Sequence, residues 1–243
     1  MKLLGQLARP KRPEQVTRAQ ILSRGVSVWI DEKSVPMLRA SLYGRAVEML
    51  DLTPEDEVLE VACGVGALLQ RNAGQVRHVA ALEQSAIQVR YARMRLAERI
   101  AAGTAEVVQG DAAALPWDDG RFTAVVCVAG LELMPDPWSV LVEIRRVLRP
   151  GGRTVVTMGM RGTDRSGQDR LANQGFWSPT EDQVRAALRR AGFANVEIGY
   201  SKGGAGVVSG AARWLGRVAY GSSEMRMVRA RARVEVAARA VRA

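Results

Sequence analysis

The sequence is poor in the residue types that build metal centres and disulfide scaffolds. Its 243 residues include two cysteines and one histidine, and aromatic residues make up 5% of the chain. A structural zinc site takes four ligands, mostly cysteine and histidine, so we expect no metal site. Cys63 lies in a glycine-containing turn and Cys127 lies inside a predicted core strand, so we expect two reduced thiols and no disulfide.

Long apolar runs are also missing. No stretch reaches the roughly 18 residues that are needed to span a bilayer. The first 24 residues are basic and contain Pro10 and Pro13, which is unlike a secretory signal peptide. A hydrophobic content of 47% can supply a full α/β core. We therefore expect a cytoplasmic enzyme, with peripheral membrane association left open.

The positive charge is concentrated at the two ends of the chain. The net charge is +10, and residues 1–24 carry six lysines and arginines against one glutamate. Residues 213–243 carry eight arginines against two glutamates, which leaves the body close to neutral. Basic ends favour an anionic partner, such as RNA or an anionic membrane surface. Solvated tails that maintain solubility are the simpler alternative.

Residues 58–69 have the pattern of a nucleotide-binding turn. An apolar, β-prone run ends at Val61, and Gly64 and Gly66 lead into a helix. Glycine permits positive φ and lets a ligand approach the backbone, and the N–H groups of the helix then point at that ligand. The glycines alone also fit an ordinary turn. Glu83, however, ends the next apolar run, where βαβ nucleotide-binding units carry an acceptor for the ribose hydroxyls.

The rest of the chain alternates predicted strands with predicted helices. The predicted strands are residues 58–61, 76–82, 105–109, 122–128, 153–158 and 195–199, and the predicted helices are residues 68–72, 86–102, 138–147 and 180–191. This order predicts a parallel sheet with helices on both faces. Ligands of such sheets bind beyond the carboxyl ends of the strands, where the glycine turn and Glu83 lie.

Three further segments carry a resemblance to a known family. Gly110–Trp117 follows the third strand, Phe122–Val128 forms the fourth, and Val147–Arg153 ends a helix before the fifth. Together with the glycine turn, this order resembles the class I S-adenosylmethionine-dependent methyltransferases over about residues 45–200. The similarity is greatest to the ubiquinone and menaquinone biosynthesis branch. It implies an α/β, doubly wound, mostly parallel seven-stranded sheet with the Rossmann-like methyltransferase fold.

The resemblance also implies the cofactor and the residues that hold it. S-adenosylmethionine is the implied cofactor, Glu60 supports the glycine turn and the methionine amino group, and Glu83 accepts hydrogen bonds from both ribose hydroxyls. Asp111 accepts from the adenine amine, and Ala112 offers its backbone N–H to the ring. A solvated strand end for Glu83 and a Gly-Asp turn for Asp111 are the alternatives. The implied cofactor positions are Glu60, Ala62, Cys63, Gly64, Gly66, Glu83, Gln84, Asp111, Ala112 and Val128.

Several positions depart from the family pattern. Ala62 replaces the first loop glycine, and we expect its φ to be negative. Thr123 stands where many relatives have aspartate, so we expect a local hydrogen bond to be lost. The segment Leu131–Asp136 lacks the histidines that are usual there, and the single histidine, His78, starts the second strand, away from the cofactor. A histidine base is not expected. Glu132 is the candidate base, unless it is a surface carboxylate or the acceptor needs no base.

By resemblance, the chain divides into three parts. Residues 1–50 form a basic tail and lid helices, with predicted helices at residues 14–27 and 34–50, residues 51–212 form the methyltransferase domain, and residues 213–243 form a basic C-terminal extension. The candidate pocket residues are Trp29, Tyr43, Trp117, Ala129, Leu133, Met134 and Trp177. For Trp29 and Tyr43, packing of the lid on the body is the alternative.

The position of the seventh strand is ambiguous. Residues 205–208 form a short apolar candidate, and residues 228–236 form a longer one in which arginine alternates with alanine or valine. A central strand in a covered sheet should be apolar on both faces, which predicts residues 205–208.

Four functions fit these patterns. The first is methyl transfer, by in-line displacement and without a histidine base, to a small hydrophobic or aromatic acceptor. The second is methylation of a lipid head group or a membrane quinol, with the basic tails on anionic lipid. The third is an RNA methyltransferase, and the fourth is a non-catalytic cofactor-binding interaction protein. A homodimer is left open.

Overall fold

The computed structural model describes residues 40–72, 74–158, 179–202 and 224–232. Trp29, Trp177 and the predicted lid helix at residues 14–27 lie outside these residues, as does the candidate strand at residues 205–208. Among the helices that the structure describes, none is long and apolar enough to cross a membrane.

Helices and strands alternate along the described chain. The helices are α1 (Ala40–Leu50), α2 (Ala67–Asn72), α3 (Ala86–Arg95), α4 (Ala97–Ala101), α5 (Pro137–Val147) and α6 (Glu181–Arg190), and a short 3₁₀ helix covers Leu131–Leu133. The strands are β1 (Glu57–Val61), β2 (His78–Glu83), β3 (Ala105–Gln109), β4 (Phe122–Cys127), β5 (Leu148–Met158), β6 (Phe193–Lys202) and β7 (Glu224–Ala232). The predicted helix at residues 86–102 is interrupted at Leu96, which is buried and has φ −100° and ψ 12°.

The strands form one seven-stranded sheet in the order β3-β2-β1-β4-β5-β7-β6. Strands β1 to β5 pair in parallel, and β7 is antiparallel to both β5 and β6. The chain moves outward from β1 through β2 to β3, and then returns to the other side of β1 with β4. This reversal opens a crevice at the carboxyl ends of β1 and β4, which is where ligands of doubly wound sheets bind. The α/β fold prediction is confirmed.

Two hydrophobic clusters cover the two faces of the sheet. In β2, Val79 and Ala81 belong to one cluster, and Ala80 and Leu82 belong to the other. Helices α1, α2 and α3 contribute to the first cluster, and α5 and α6 contribute to the second. The central strands are therefore apolar on both faces because each face is covered by helices.

The prediction for the seventh strand was wrong. Strand β7 is Glu224–Ala232 and not residues 205–208. The prediction assumed that both faces of this strand are covered, whereas Ala230 is fully buried and Arg231 is exposed. An arginine–alanine alternation suits a strand that buries only one face. The sheet therefore extends to Ala232, past the predicted domain boundary at residue 212.

A buried carboxylate just before β1 is bonded to side chains of β4 and β5. Asp56 is 4% exposed. Its Oδ2 accepts from the Arg153 guanidinium at 2.5 Å, and its Oδ1 accepts from the Thr123 hydroxyl at 2.5 Å. Burial raises the pKa of Asp56, but the hydrogen bonds from Arg153 and Thr123 outweigh it and lower the pKa to about 2. The expectation that Thr123 would cost a local hydrogen bond was therefore wrong.

Candidate functional site

The loop after β1 contains three residues with positive φ. They are Ala62 at 57°, Gly64 at 56° and Gly66 at 74°. The expectation of a negative φ at Ala62 was wrong, because the loop keeps the left-handed conformation of a glycine at this position. A non-glycine residue in this region costs roughly 1–2 kcal/mol, so the surrounding packing must stabilise the turn.

The two loop glycines have different surroundings. A Cβ at Gly66 would lie 3.1 Å from the Cα of Ala92 in α3, so the loop packs directly on that helix. Among the residues that the structure describes, no heavy atom lies within 4 Å of a Cβ built on Gly64. Gly66 is therefore required by packing as well as by conformation, whereas Gly64 faces open space at the carboxyl end of β1.

Glu83 connects the glycine loop to the end of β2. Its carboxylate is 9% exposed, and Oε2 accepts the backbone N–H of Gly64 at 3.0 Å. Oε1 accepts the N–H of Ser85, also at 3.0 Å. The carboxylate thus lies beside the loop at the strand end, with lone pairs remaining for further donors. Glu83 is therefore not simply a solvent-exposed carboxylate at the end of a strand.

Asp111 follows β3 at the same edge of the sheet. Its side chain is exposed, and Oδ1 accepts the N–H of Ala113 at 2.9 Å in a local turn. Ala112 is 9% exposed. Gln84 is exposed, and its carbonyl accepts from the Gln109 side chain at 3.1 Å. The predicted adenine-binding positions therefore lie beside one another at the ends of β2 and β3.

Cys63 in the loop and Glu60 in β1 are both buried. Cys63 is 5% exposed and Glu60 is 3% exposed. Burial raises the pKa of the Cys63 thiol, and the nearby carboxylates of Glu60 and Glu83 raise it further. The thiol is therefore protonated at neutral pH and is a poor nucleophile. Cys63 and Cys127 are both free, as the sequence predicted.

The loop after β4 borders the crevice from the other side. Val128 and Ala129 are 5% and 6% exposed, and Ala129 has φ 53°. The N–H of Ala129 donates to the buried hydroxyl of Thr157 in β5 at 2.7 Å. Thr157 was not predicted from the sequence, because an apolar strand pattern does not show which hydroxyl accepts a hydrogen bond from a neighbouring loop.

The remaining pocket predictions have mixed outcomes. Leu133 and Met134 follow the carboxyl end of β4 in the chain. Leu133 is 54% exposed, and Met134 is half-buried against the second cluster. Tyr43 is 7% exposed within the first cluster, which is consistent with packing of α1 on the body. The Glu132 side chain is outside the described part of the structure.

Trp117 is not at the crevice, and its prediction as a pocket wall was wrong. Its Nε1 donates to the Glu106 carboxylate at 2.9 Å, and its ring meets Phe122 edge-on with centroids 5.4 Å apart. Glu106 and Phe122 lie at the amino ends of β3 and β4. The apolar ring packs there because the indole N–H finds a partner at the sheet edge.

His78 also lies at the amino end of the sheet. It is the first residue of β2, and burial lowers its pKa. This location supports the prediction that it takes no part in the crevice. Among the described residues, no group of three or more histidine, cysteine or acidic side chains could hold a metal ion.

Comparison with known proteins shows the family to which the chain belongs. A family model described as "Methyltransferase domain" matches residues 59–156. A demethylmenaquinone methyltransferase of Clavibacter sepedonicus is 31% identical over 169 residues, which cover 58% of this chain and 67% of that protein. The chain belongs to the class I S-adenosylmethionine-dependent methyltransferases. S-adenosylmethionine is accordingly its cofactor.

A second curated relative and a solved structure are also similar to this chain. A demethylmenaquinone methyltransferase of Lactococcus lactis is 39% identical over 129 residues, which cover 52% of this chain and 49% of that protein. The methyltransferase chain thus matches about half the length of several curated relatives. The crystal structure of the [4+2]-cyclase SpnF has a TM-score of 0.62 and 24% identity, and the match covers 79% of this chain and 80% of that one. At this identity it supports the fold alone.

The residues at this crevice have the chemistry that S-adenosylmethionine requires. Open space in front of Gly64 lets ligand atoms approach the loop backbone. The Glu83 carboxylate beside it can accept two charge-assisted hydrogen bonds from a diol. Asp111 is exposed after the end of β3, and β3 is the neighbour of β2, the strand that ends at Glu83. Donor and acceptor types are therefore those that a ribose and an amino-purine require.

Proposed function

We propose that the protein transfers a methyl group from S-adenosylmethionine to a small hydrophobic or aromatic acceptor. The observation that carries this proposal is the convergence of the glycine loop, Glu83 and Asp111 at the carboxyl ends of three neighbouring strands. When bound, the cofactor supplies an activated methyl group. The protein's own task is to orient the two reactants and to exclude water.

The proposed roles follow from position. Glu83 holds the ribose, Asp111 and the backbone of Ala112 hold the adenine, and Val128 packs against the ring. Glu60, buried below the loop, supports the turn that receives the methionine portion. On binding, each carboxylate exchanges hydrogen bonds from water for hydrogen bonds from the ligand. Because the strand ends already hold these side chains in position, less conformational entropy is lost, which favours binding.

The acceptor is proposed to lie beside the loop after β4. Leu133 is exposed there and Met134 is half-buried, so this side of the crevice offers apolar surface. Glu132 belongs to the 3₁₀ helix at this rim, and its carboxylate is the proposed base for an acceptor that must lose a proton. An acceptor that is already ionised would need no base.

A membrane quinol is the second candidate acceptor. Two relatives carry the name demethylmenaquinone methyltransferase, which favours a quinone-type acceptor. The basic ends of this chain would then attract it to anionic lipid.

Methyl transfer can be tested by mass spectrometry. The purified protein is incubated with S-adenosylmethionine and demethylmenaquinol, in detergent or in vesicles, and the products are measured for a gain of one methyl group. Soluble aromatic alcohols and amines form the parallel panel. A methylated quinol supports the second candidate, and a methylated soluble acceptor supports the first. Cofactor binding without product from any acceptor would favour a non-catalytic cofactor-binding protein.

A further inference from the structure

The glycine loop and the loop after β4 approach each other closely at Ala62 and Gly130. A Cβ built on Gly130 would lie 2.8 Å from the Cβ of Ala62, closer than two such atoms can be. The same Cβ would lie 3.3 Å from Cys127 Sγ. Alanine has no rotamer that could move its methyl group away, so the backbone of one loop would have to shift.

Both sides of this contact are held in place by their neighbours. Ala62 has φ 57° and is followed by Cys63, whose N–H donates to the Leu82 carbonyl at 3.1 Å. Ala129 has φ 53°, and its N–H donates to Thr157 at 2.7 Å within the buried interior. Neither loop can therefore yield without losing a buried hydrogen bond or leaving its turn conformation.

The contact joins the two halves of the site. Ala62 belongs to the loop whose Gly64 N–H is bonded to Glu83. Gly130 begins the 3₁₀ helix Leu131–Leu133, and its carbonyl accepts the N–H of Leu133. The cofactor side and the acceptor side are thus in direct van der Waals contact, with Thr157 below the second loop.

We propose that Ala62 and Gly130 form a matched pair, supported by Thr157, that sets the separation of the cofactor loop from the acceptor loop. Because Ala62 carries a methyl group, residue 130 has to be glycine, and the two positions are interdependent. Gly130 and Thr157 are positioning residues that act through the loops. The inference rests on the proposed cofactor site, and it requires no knowledge of the acceptor.

The test is a double-mutant cycle with S-adenosylhomocysteine as the titrant in calorimetry. We expect Gly130→Ala to weaken binding at least tenfold, because its Cβ displaces the Ala62 loop. Ala62→Gly alone is the reference variant, and its measured affinity is the baseline against which the double variant is compared. The double variant A62G/G130A should recover most of the loss, since only the 3.3 Å contact to Cys127 remains. Gly199→Ala is the matched control, because a Cβ there meets no atom of the described residues within 4 Å.

Thr157 provides an independent arm. We expect Thr157→Ser to bind S-adenosylhomocysteine like the wild type, because the serine hydroxyl can still accept from Ala129. Thr157→Val removes the acceptor at nearly constant volume, and we expect weaker binding and faster amide hydrogen exchange over residues 128–134. Equal behaviour of the serine and valine variants would overturn the supporting role of Thr157.

The outcomes separate this inference from the proposed function. No binding by the wild type would contradict the cofactor site itself. Wild-type binding with unchanged affinity in Gly130→Ala would overturn only the matched pair, as would a double variant no better than Gly130→Ala. If Gly130→Ala does not fold, the urea midpoint of A62G/G130A decides, because recovered folding supports the pair and unrecovered folding overturns it.

Discussion

At the scale of single residues, Glu83 is the clearest link between sequence and function. Its place after an apolar run predicted a ribose acceptor, and the structure shows its carboxylate bonded to the loop N–H of Gly64 at 3.0 Å. We expect Glu83→Ala to weaken S-adenosylmethionine binding at least tenfold, about 1.4 kcal/mol, because a charge-assisted acceptor is lost. Calorimetric titration measures this. Glu98→Ala, which removes an exposed carboxylate from α4, is the control and should bind normally.

Alanine substitutions at the two loop glycines should affect protein stability and cofactor binding to different extents. Gly66→Ala combines a φ of 74° with a 3.1 Å approach to the Ala92 backbone, and we expect the free energy of unfolding to fall by about 2–3 kcal/mol. Gly64→Ala meets no neighbour, so we expect a loss of about 1 kcal/mol together with weaker cofactor binding. Urea denaturation and titration on both variants check this. Equal loss of stability would contradict the assignment of Gly64 to open space.

Asp56 should make stability depend on acidic pH. Its pKa is lowered to about 2, from 3.8, so its contribution is present above pH 4 and disappears as the pH falls from about 4 to about 2. We expect it to be worth about 1–2 kcal/mol after allowance for solvent screening. Urea denaturation between pH 2 and pH 5 should show a shallower dependence in Asp56→Asn than in the wild type. Asp118→Asn, at an exposed position, is the matched control.

At the scale of secondary structure, the sequence predicted the central strands well and the end of the sheet poorly. Val79 to Leu82 form a continuous apolar run because helices cover both faces of β2. Such runs can be recognised in the sequence alone. Strand β7 alternates arginine with small apolar residues, and its placement depends on long-range pairing with Val156 and Ile198. No local pattern contains that pairing.

The position of β7 makes a direct prediction about truncation. Deleting residues 224–243 removes the strand that bonds both β5 and β6, so we expect loss of cooperative unfolding and not merely loss of a tail. Circular dichroism during thermal denaturation checks this. Arg231→Thr, an exposed substitution that keeps the strand, is the control. A truncated protein that unfolds with the wild-type midpoint would contradict the pairing.

The sequence predicted the location of residues at strand ends, and it did not predict features that depend on packing, while the binding roles stay predictions. Glu83, Asp111 and the glycine loop lie at one edge because parallel strands end together. Ala62 adopts positive φ, and Trp117 packs at the opposite edge beside Phe122. Both outcomes are set by neighbours that are distant in sequence, which a linear pattern cannot reveal.

At the scale of the whole molecule, the structure is a doubly wound sheet with a cofactor crevice at the reversal between β1 and β4. The basic ends of the chain flank a nearly neutral body. Because the excess positive charge lies in residues 1–24 and 213–243, and the positions predicted to bind the cofactor lie between them in the sequence, we expect salt to weaken membrane association more than cofactor binding.

The most direct test of the central claim is calorimetric titration of the purified protein with S-adenosylmethionine and S-adenosylhomocysteine, with nicotinamide dinucleotides as the comparison. We predict micromolar binding of the first two ligands and none of the dinucleotides, because the chain belongs to the S-adenosylmethionine-dependent methyltransferases. Absence of binding by either S-adenosyl compound would contradict the assignment of the crevice, and the glycine loop would then be only a structural turn.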